Sequence, residues 1–331
     1  MPILLITGGA GFISSHIIEY FLRLTDWSIV VLDKFTYASH GLTRLKEIGA
    51  YDNPRVKIHV VDIARPMSLL LEQEIGHVDY ILHMAAGTHV DNSIRCPRDF
   101  VETNVMGTLE MLEFARRQPA LKNFIYFSTD EVFGPAKPGV SFKEWDRYNS
   151  CNPYSATKAG GEELALAWAN TYKVPVTITH TMNVIGERQH FEKFLPKVVR
   201  AAITGEEILL HTDAAGKTSA RTYLHGKDVA DALYFIMQIP ACREKYNIEG
   251  QQEVSNEDLV KSVSLTLDKP ILTKKGMPTT RPGNDARYHV DGSKLRALGW
   301  KPGLSFKKRL GMTVWWMAQP ENLHWLGLGK E

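Results

Sequence analysis

The sequence predicts an α/β protein: a doubly wound parallel sheet of the Rossmann type with a smaller α/β domain attached. Three observations carry the prediction. Over the first 130 residues, short apolar runs of strand length alternate with stretches of helical spacing. The runs are apolar throughout rather than at every second residue, the mark of strands covered on both faces by helices. The first run ends in a glycine-rich turn, Thr7-Gly8-Gly9-Ala10-Gly11, that opens directly into a helical stretch.

In order along the chain, residues 3–6 form the first strand. Residues 12–24 form a helix with Ile13, Ile17, Ile18, Phe21 and Leu22 on one face. Strands follow at 28–33, 56–61, 78–84 and 123–127, with a helix at 104–117 before the last of them. A helix at 156–172 leads to a sixth strand at 176–181. After about Asn183 the segments shorten and Gly and Pro become more frequent, so a second domain is expected there. Residues 1–182 are read as the first domain, with segments returning to it from about 221–248. Residues 183–331 are read as mainly the second, discontinuous domain. A helix at 228–238 and a strand at 245–248 are the returning elements. Trp315, Trp316 and Trp325 read as packing of a last helix rather than an interaction patch, because aromatic side chains dominate cores.

A chain of 331 residues can bury a large core. With 44% hydrophobic and 23% charged residues, it has the composition of an ordinary soluble protein. Lys and Arg total 39 against 37 Asp and Glu, with no basic block, which gives no ground for a nucleic-acid or membrane partner. No segment approaches the ~20 apolar residues of a membrane span. Gly8, Gly9 and Gly11 interrupt the N-terminal apolar run too early for a signal peptide. Cys96, Cys151 and Cys242 are odd in number, dispersed and without metal-ligand spacing. They read as free thiols of a cytoplasmic protein, and no metal site is expected.

The glycine turn sits where a phosphate cradle makes physical sense. Glycines let the backbone approach a pyrophosphate, and the start of a helix offers unpaired N–H groups and a positive dipole end. Gly8, Gly11, Phe12 and Ile13 are the candidate contacts. Ser14 stands where the pattern would put its last Gly, a packing position that a small Ser can fill. Asp33 ends the second strand, 19 residues after Ser14. A carboxylate there accepts hydrogen bonds from adenosine ribose hydroxyls and repels a 2′-phosphate, which selects NAD over NADP. Asp62 and Ile63, after the third strand, are placed near the adenine by position alone. Ala85, just past the fourth strand, joins the cofactor-binding set.

Tyr154 and Lys158 stand four residues apart at the start of a helix and share a face. A phenol of pKa about 10 is a poor base at neutral pH. A neighbouring ammonium, with the positive charge of an oxidised nicotinamide, favours the phenolate.

Several motifs now combine. They are Thr7-Gly8-Gly9-Ala10-Gly11-Phe12-Ile13, His89-Val90-Asp91-Asn92-Ser93-Ile94, Glu102-Thr103-Asn104, Ser128-Thr129-Asp130-Glu131-Val132-Phe133-Gly134, Pro153-Tyr154-Ser155-Ala156-Thr157-Lys158, Glu192-Lys193 and Arg281-Pro282-Gly283-Asn284-Asp285-Ala286-Arg287-Tyr288. With them the chain resembles the extended short-chain dehydrogenase/reductase superfamily over nearly its whole length. Within it, the chain is most similar to the nucleoside-diphosphate-glucose 4,6-dehydratases, the dTDP-glucose 4,6-dehydratase family.

The resemblance implies an NAD-dependent lyase that turns dTDP-glucose or UDP-glucose into a 4-keto-6-deoxy sugar nucleotide. It gives Thr129 a hydrogen bond to the sugar 4-hydroxyl, and Tyr154, with Lys158, the O4 proton. It makes Glu131 the base at C5 and Asp130 the acid at O6. The chemistry accounts for two adjacent carboxyl groups. Oxidation at C4 acidifies the C5 proton, and loss of water across C5–C6 then needs both a base and an acid. The resemblance places His89, Asn183, Glu192, Lys193, Arg221, Asn247, Arg281, Asn284 and Tyr288 on the nucleoside diphosphate or sugar. Arg221 and Arg281 would clamp the diphosphate, which suits guanidinium geometry. It also implies a homodimer built on the helices near 104–117 and 156–172.

The chain departs from the family pattern in places. Phe133 stands for a usual Tyr, and Ile185 and Glu187 for the usual Tyr and Pro around Gly186. The stretch 211–220 is longer than the family's nucleobase loop, which leaves thymidine and uridine both open. A nucleotide-sugar 4-epimerase or a UDP-glucuronate decarboxylase shares the fold and the Tyr–Lys pair. Neither reaction needs an acid at O6, so Asp130 beside Glu131 argues against both. A non-catalytic NAD-binding protein shares the fold but has little use for Tyr154, Lys158 and two carboxyls.

Overall fold

The computed structural model describes residues 1–212, 215–241, 243–276 and 287–329. Its strands are β1 (Ile3–Thr7), β2 (Ser28–Asp33), β3 (Val56–Val60), β4 (Tyr80–His83), β5 (Asn123–Thr129), β6 (Val176–Thr181), β7 (Asn183–Ile185), β8 (Ile208–His211), β9 (Ala220–His225), β10 (Glu244–Ile248), β11 (Glu253–Ser255) and β12 (Thr273–Gly276). Seven of them form one sheet in the order β10-β6-β5-β4-β1-β2-β3. Every pair in it is parallel. The chain starts at β1, builds outward through β2 and β3, then returns to lay β4, β5, β6 and β10 on the other side. The direction reverses between β1 and β4, where a doubly wound sheet opens its ligand crevice.

Why these strands read as unbroken apolar runs is visible in β1. Side chains alternate between faces. Leu4 and Ile6 join a core with Ile17 and Phe21 of the helix Phe12–Leu24 and with Val229 and Leu233 of the helix Gly226–Met237. Leu5 faces the opposite core, with Met111, Leu112 and Ala165. β4 is shorter than its apolar run at 78–84, whereas β5 runs two residues further than 127, to Thr129. That extension carries Thr129 to the crevice.

The helix expected at 104–117 begins differently. Residues Glu102–Met106 wind as a wide π turn before the α-helix Gly107–Arg116. Asn104 lies in that turn. Its amide accepts from Gly87 N–H (2.8 Å) and donates to Gly87 O (3.1 Å) and Thr157 Oγ1 (2.9 Å).

Beyond β6, strands β11, β9 and β7 form a second sheet, and β12 pairs with β8. Their core gathers Ile185, Leu195, Val199, Leu259, Leu310 and Leu326. The tryptophans divide. Trp325, in the 3-10 turn Pro320–Leu326, is fully buried, whereas Trp315 of the helix Phe306–Met317 is 63% exposed. Trp316 of that helix is partly buried against the second core, so the packing aromatics are Trp316 and Trp325, and Trp315 alone of the three faces outward. Among the described residues, no helix is long and apolar enough to cross a membrane.

The helix Pro153–Tyr172 meets β5 through glycine. A Cβ at Gly161 would collide with Tyr126 Oη and stand 2.9 Å from Asn104 O. Tyr126 Oη donates to Lys158 O (3.1 Å), so the two elements are pinned at that turn. Replacing a helical Gly by Ala ordinarily adds roughly 0.5–1 kcal/mol of stability. Here overpacking reverses the sign, and Gly161→Ala is expected to lower stability by about 1–3 kcal/mol. Urea denaturation checks this: a midpoint at or above the parent's contradicts the packing described.

Candidate active site

A cavity of about 850 Å³ opens at the crevice, lined by the glycine turn, the end of β2, the end of β5 and the start of the helix Pro153–Tyr172. Gly8 adopts φ +66°, and a Cβ there would lie 2.8 Å from Ala85 Cα. Its N–H donates to Leu32 O (2.7 Å), locking the turn to β2. The helix Phe12–Leu24 begins at Gly11 with no side-chain cap. Its first N–H groups therefore face the cavity as anion donors. Gly8, Gly11, Phe12, Ile13, Ile63 and Ala85 all line the cavity.

Asp33 lines it too. Its Oδ2 accepts from Ala10 N–H (3.0 Å) and its Oδ1 from Phe35 N–H (2.7 Å). Burial pushes this carboxyl up, against those two hydrogen bonds and the charge of Arg44. An uncapped helix start and a strand-end carboxylate sharing one cavity fit a dinucleotide. Asp62 lies outside the lining, with its Oδ2 3.5 Å from Lys34 Nζ and its Oδ1 accepting from Ala64 N–H.

At the end of β5, Thr129 Oγ1 accepts from Glu131 N–H (3.3 Å) and donates to Asp130 Oδ1 (3.1 Å). This caps the short 3-10 turn Asp130–Phe133 and turns both acids toward the cavity. Asp130 is only 4% exposed, and its Oδ2 has no hydrogen-bond partner among the described residues. Burial, then the charge of Glu131, pushes the Asp130 carboxyl up to about 7, although Arg221 opposes the shift.

Asn152 caps the helix Pro153–Tyr172. Its Oδ1 accepts from Ser155 N–H (2.8 Å), with Pro153 at the first helical position. The same side chain donates from Nδ2 to Glu131 Oε2 (3.2 Å). One residue thus fixes both the start of the Tyr154 helix and the second acid. Tyr154 and Lys158 both line the cavity, as the helical spacing predicts. Their electrostatics differ from the sequence expectation. Lys158 Nζ donates to Phe127 O (2.7 Å) and lies 4.2 Å from the centre of the Tyr126 ring. Burial brings it down to about 7, partly offset by Glu162. Tyr154 is held well above the usual phenol range by burial and by Glu131 and Asp130, against a hydrogen bond with Thr129. The protein's own groups keep the Tyr154 proton on, because two carboxyls and desolvation act together.

Behind this site lies a fully buried carboxylate that the motif reading missed. Glu162 accepts hydrogen bonds from Ser128 Oγ and Tyr148 Oη, and sits 3.1 Å from His180 Nε2 and 3.5 Å from Lys245 Nζ. Burial pushes it up, but His180 and Lys245 outweigh that and bring it to about 2. Its place four residues after Lys158 was the available signal. For Asn152, it was the Asn-Pro pair that opens the helix.

The expected substrate residues scatter more. His89, Asn183, Glu192 and Lys193 line the cavity. Lys193 Nζ lies 3.8 Å from Glu192 Oε1, and burial pulls it below the usual lysine range. Arg221 and Tyr288 stack, guanidinium 5.1 Å from ring centre, outside the lining. Asn247 is a correction. It is fully buried, donating to Phe142 O (3.0 Å) and Asp291 O (3.1 Å) with its Oδ1 on His180 Nδ1 (2.9 Å). Its amide is consumed inside the protein, in the network behind Glu162. Arg281 and Asn284 fall outside the described residues.

Sheet order, glycine turn and the Tyr154–Lys158 pair define an extended short-chain dehydrogenase/reductase. More particularly, the chain belongs to the GDP-mannose 4,6 dehydratase family, whose model matches residues 5–313. It is 36% identical to the dTDP-glucose 4,6-dehydratase of Neisseria gonorrhoeae, over 95% of this chain and 94% of that one. It is 35% identical to a trifunctional UDP-glucose 4,6-dehydratase/3,5-epimerase/reductase of Arabidopsis thaliana, over 98% of this chain and 48% of that longer one. The crystal structure of a dTDP-glucose 4,6-dehydratase from Streptomyces venezuelae, solved with NAD bound, superimposes with a TM-score of 0.87 at 34% identity, covering 98% of both chains.

The raised Asp130 carboxyl has a consequence for stability. Its unfolded-state value is near 3.8 and its folded value about 7. Between those values the unfolded chain releases the proton first, so stability from this group is full below about 4 and is lost as pH rises to about 7. Asp130→Asn removes the effect. The unfolding free energy of the variant is expected to gain on the parent by an amount on the order of a few kcal/mol between those pH values, then run parallel. Urea titrations of both proteins from pH 4 to pH 8 measure this, and a constant difference across the range refutes the shift.

Proposed function

We propose that this chain is an NAD-dependent hydro-lyase that converts a nucleoside-diphosphate-glucose, dTDP-glucose or UDP-glucose, to its 4-keto-6-deoxy product. The observation that carries the reading is the buried Asp130 beside Glu131, on the same cavity as Tyr154 and the glycine turn. Two carboxyls in different environments divide acid and base work. Asp130, pushed up to about 7, keeps a proton to give, whereas Glu131 is anchored by Asn152.

NAD, when bound, would supply a hydride store: hydride leaves C4, which becomes and stays a ketone, and is given back at C6. Gly8, Gly11, Phe12 and Ile13 would hold its pyrophosphate, with Asp33 on the ribose and Ile63 and Ala85 along its body. Thr129 orients the sugar 4-hydroxyl, and Tyr154, with Lys158, takes the O4 proton. Because the protein's own groups hold that proton tightly on Tyr154, its release relies on positive charge brought by the cofactor. Glu131 removes the C5 proton, the C6–O bond breaks with Asp130 protonating the departing oxygen as water, and the stored hydride would then be restored at C6 as a proton returns to C5, leaving the C4 ketone in the product. His89, Asn183, Glu192 and Lys193 are the contacts proposed for the nucleotide sugar, with Arg221 toward its diphosphate.

We read residues 1–182, with the returning 221–248, as the NAD-binding domain, and the remainder as the nucleotide-sugar domain. Pairing through the helices near 104–117 and 156–172 would give a homodimer. The exposed thiols Cys96 and Cys151 support a reducing, cytoplasmic setting.

The test follows the sequence of bonds. Glu131→Gln is expected to oxidise C4 but not to exchange the C5 hydrogen. Asp130→Asn should exchange it yet eliminate water ~10² to 10⁴ times more slowly. Tyr154→Phe should not oxidise at all. Deuterium uptake from solvent and product mass are followed with dTDP-glucose and UDP-glucose in parallel. If both acid variants form product at the parent rate, the carboxyls are structural and the dehydratase reading is wrong. If the parent releases only a 4-epimer with its C6 oxygen retained, the reaction is epimerisation.

A further inference from the structure

Arg44 is fully buried, yet it is surrounded chiefly by carbonyl oxygens. Its Nε donates to Arg188 O (3.0 Å), and its Nη1 to Ala38 O (2.8 Å), Ser39 O (2.8 Å) and Ala10 O (3.3 Å). Those four carbonyls belong to three separate pieces of the cavity wall. Ala10 lies in the glycine turn itself, and its N–H is held by Asp33 on the other side. Ala38 and Ser39 follow β2, where Thr36, Tyr37, Ala38 and Ser39 line the cavity. Arg188 precedes Gln189 and His190, which line it as well.

The guanidinium is braced from behind. Its Cζ lies 4.7 Å from the centre of the Trp325 ring. The indole N–H donates to both oxygens of Glu47 (3.1 and 3.2 Å), and His324 Nε2 lies 3.1 Å from the same carboxylate. Trp325 comes from the turn Pro320–Leu326, whose Leu326 belongs to the core of the second lobe. A buried guanidinium set on carbonyls is a costly arrangement, and helix packing alone does not call for one. What it achieves is to fasten three loops of one cavity to a single rigid group.

We propose that Arg44, braced by Trp325, is a cofactor-positioning residue: it sets the three loops that close on the adenosine end of NAD, so the C-terminal turn governs how tightly the dinucleotide is held. The proposal rests on the NAD-dependent reading above. It makes the second lobe part of the cofactor site, although no residue of the Pro320–Leu326 turn lines the cavity.

The experiment uses the purified full chain, stripped of nucleotide and titrated with NAD, alongside thermal unfolding of each nucleotide-free variant. Trp325→Leu keeps an apolar side chain but removes the π face, whereas Trp325→Phe keeps a π face while losing the indole N–H and one ring. Trp325→Leu and Arg44→Met are each expected to weaken NAD about tenfold or more, as loss of a desolvated cation–π contact would. Trp325→Phe should stay within about threefold of the parent. The double variant should be no weaker than the worse single, because both act through one group. If the Leu variant folds and binds NAD as the parent does, with only its melting temperature lowered, the brace is structural and the proposal fails while the NAD reading stands. A parent that takes up no NAD removes both. If Arg44→Met does not fold, the Leu and Phe variants decide the matter between them.

Discussion

A strand buried on both faces can present chemistry only at its ends. In this sheet every strand pair is parallel, so the C-terminal ends of β1, β2, β4, β5 and β6 all open on one side. The crevice between β1 and β4 collects them. The glycine turn follows β1, Asp33 ends β2, Ala85 follows β4, Thr129 ends β5, and Asp130 and Glu131 follow it. No loop had to travel far to bring these groups together. The site is a direct outcome of covering the sheet on both sides, and the alternation of Leu4, Leu5 and Ile6 between two cores is the same constraint seen from the inside.

Low polarity then rearranges the titration order of the site. Burial raises Asp130 and Tyr154 and lowers Lys158, so each of the three leans toward its uncharged form near neutrality. The charge is kept one helical turn back, where Glu162 is secured by His180, Lys245 and two hydroxyls. The result is a weakly charged chamber resting on a strongly charged foundation. In such a chamber a cation arriving with a ligand acts with little competition from water or from fixed counter-charges. Such a charge would let Tyr154 release the proton that the protein's own groups hold on it.

Much of this was legible from residue order. The apolar runs gave the sheet, and the three glycines of the Gly8–Ser14 turn, standing between a strand and a helix, pointed to a phosphate cradle. Asp130 and Glu131 came from the family resemblance carried by the Thr129-Asp130-Glu131 motif. The same resemblance misplaced Asn247, since a matched position says nothing about whether a neighbouring histidine has already claimed the amide. His180 is that neighbour, and its partner Glu162 is remote in sequence from Asn247. Arg44 was invisible for a similar reason. Its partners are main-chain carbonyls, which carry no sequence signature, and its brace, Trp325, is 281 residues away. The behaviour of Tyr154 also escaped the pattern, because helical spacing fixes which face a side chain occupies but not the dielectric around it.

The π turn at Glu102–Met106 also bears on how this fold tolerates length change. A wide turn stores one residue more than an α turn of the same rise, so shortening the segment by one would give a regular helix and a locally more favourable hydrogen-bond ladder. Because the turn absorbs that residue, the helix beyond it would keep its phase, and the change would fall on the turn itself. Asn104 sits there, and its amide holds both Gly87 and Thr157. A deletion that improves the helix would therefore cost the contact that ties the Gly87 wall of the crevice to the helix Pro153–Tyr172, which makes this stretch a poor place to trim in any minimised or grafted version of the scaffold.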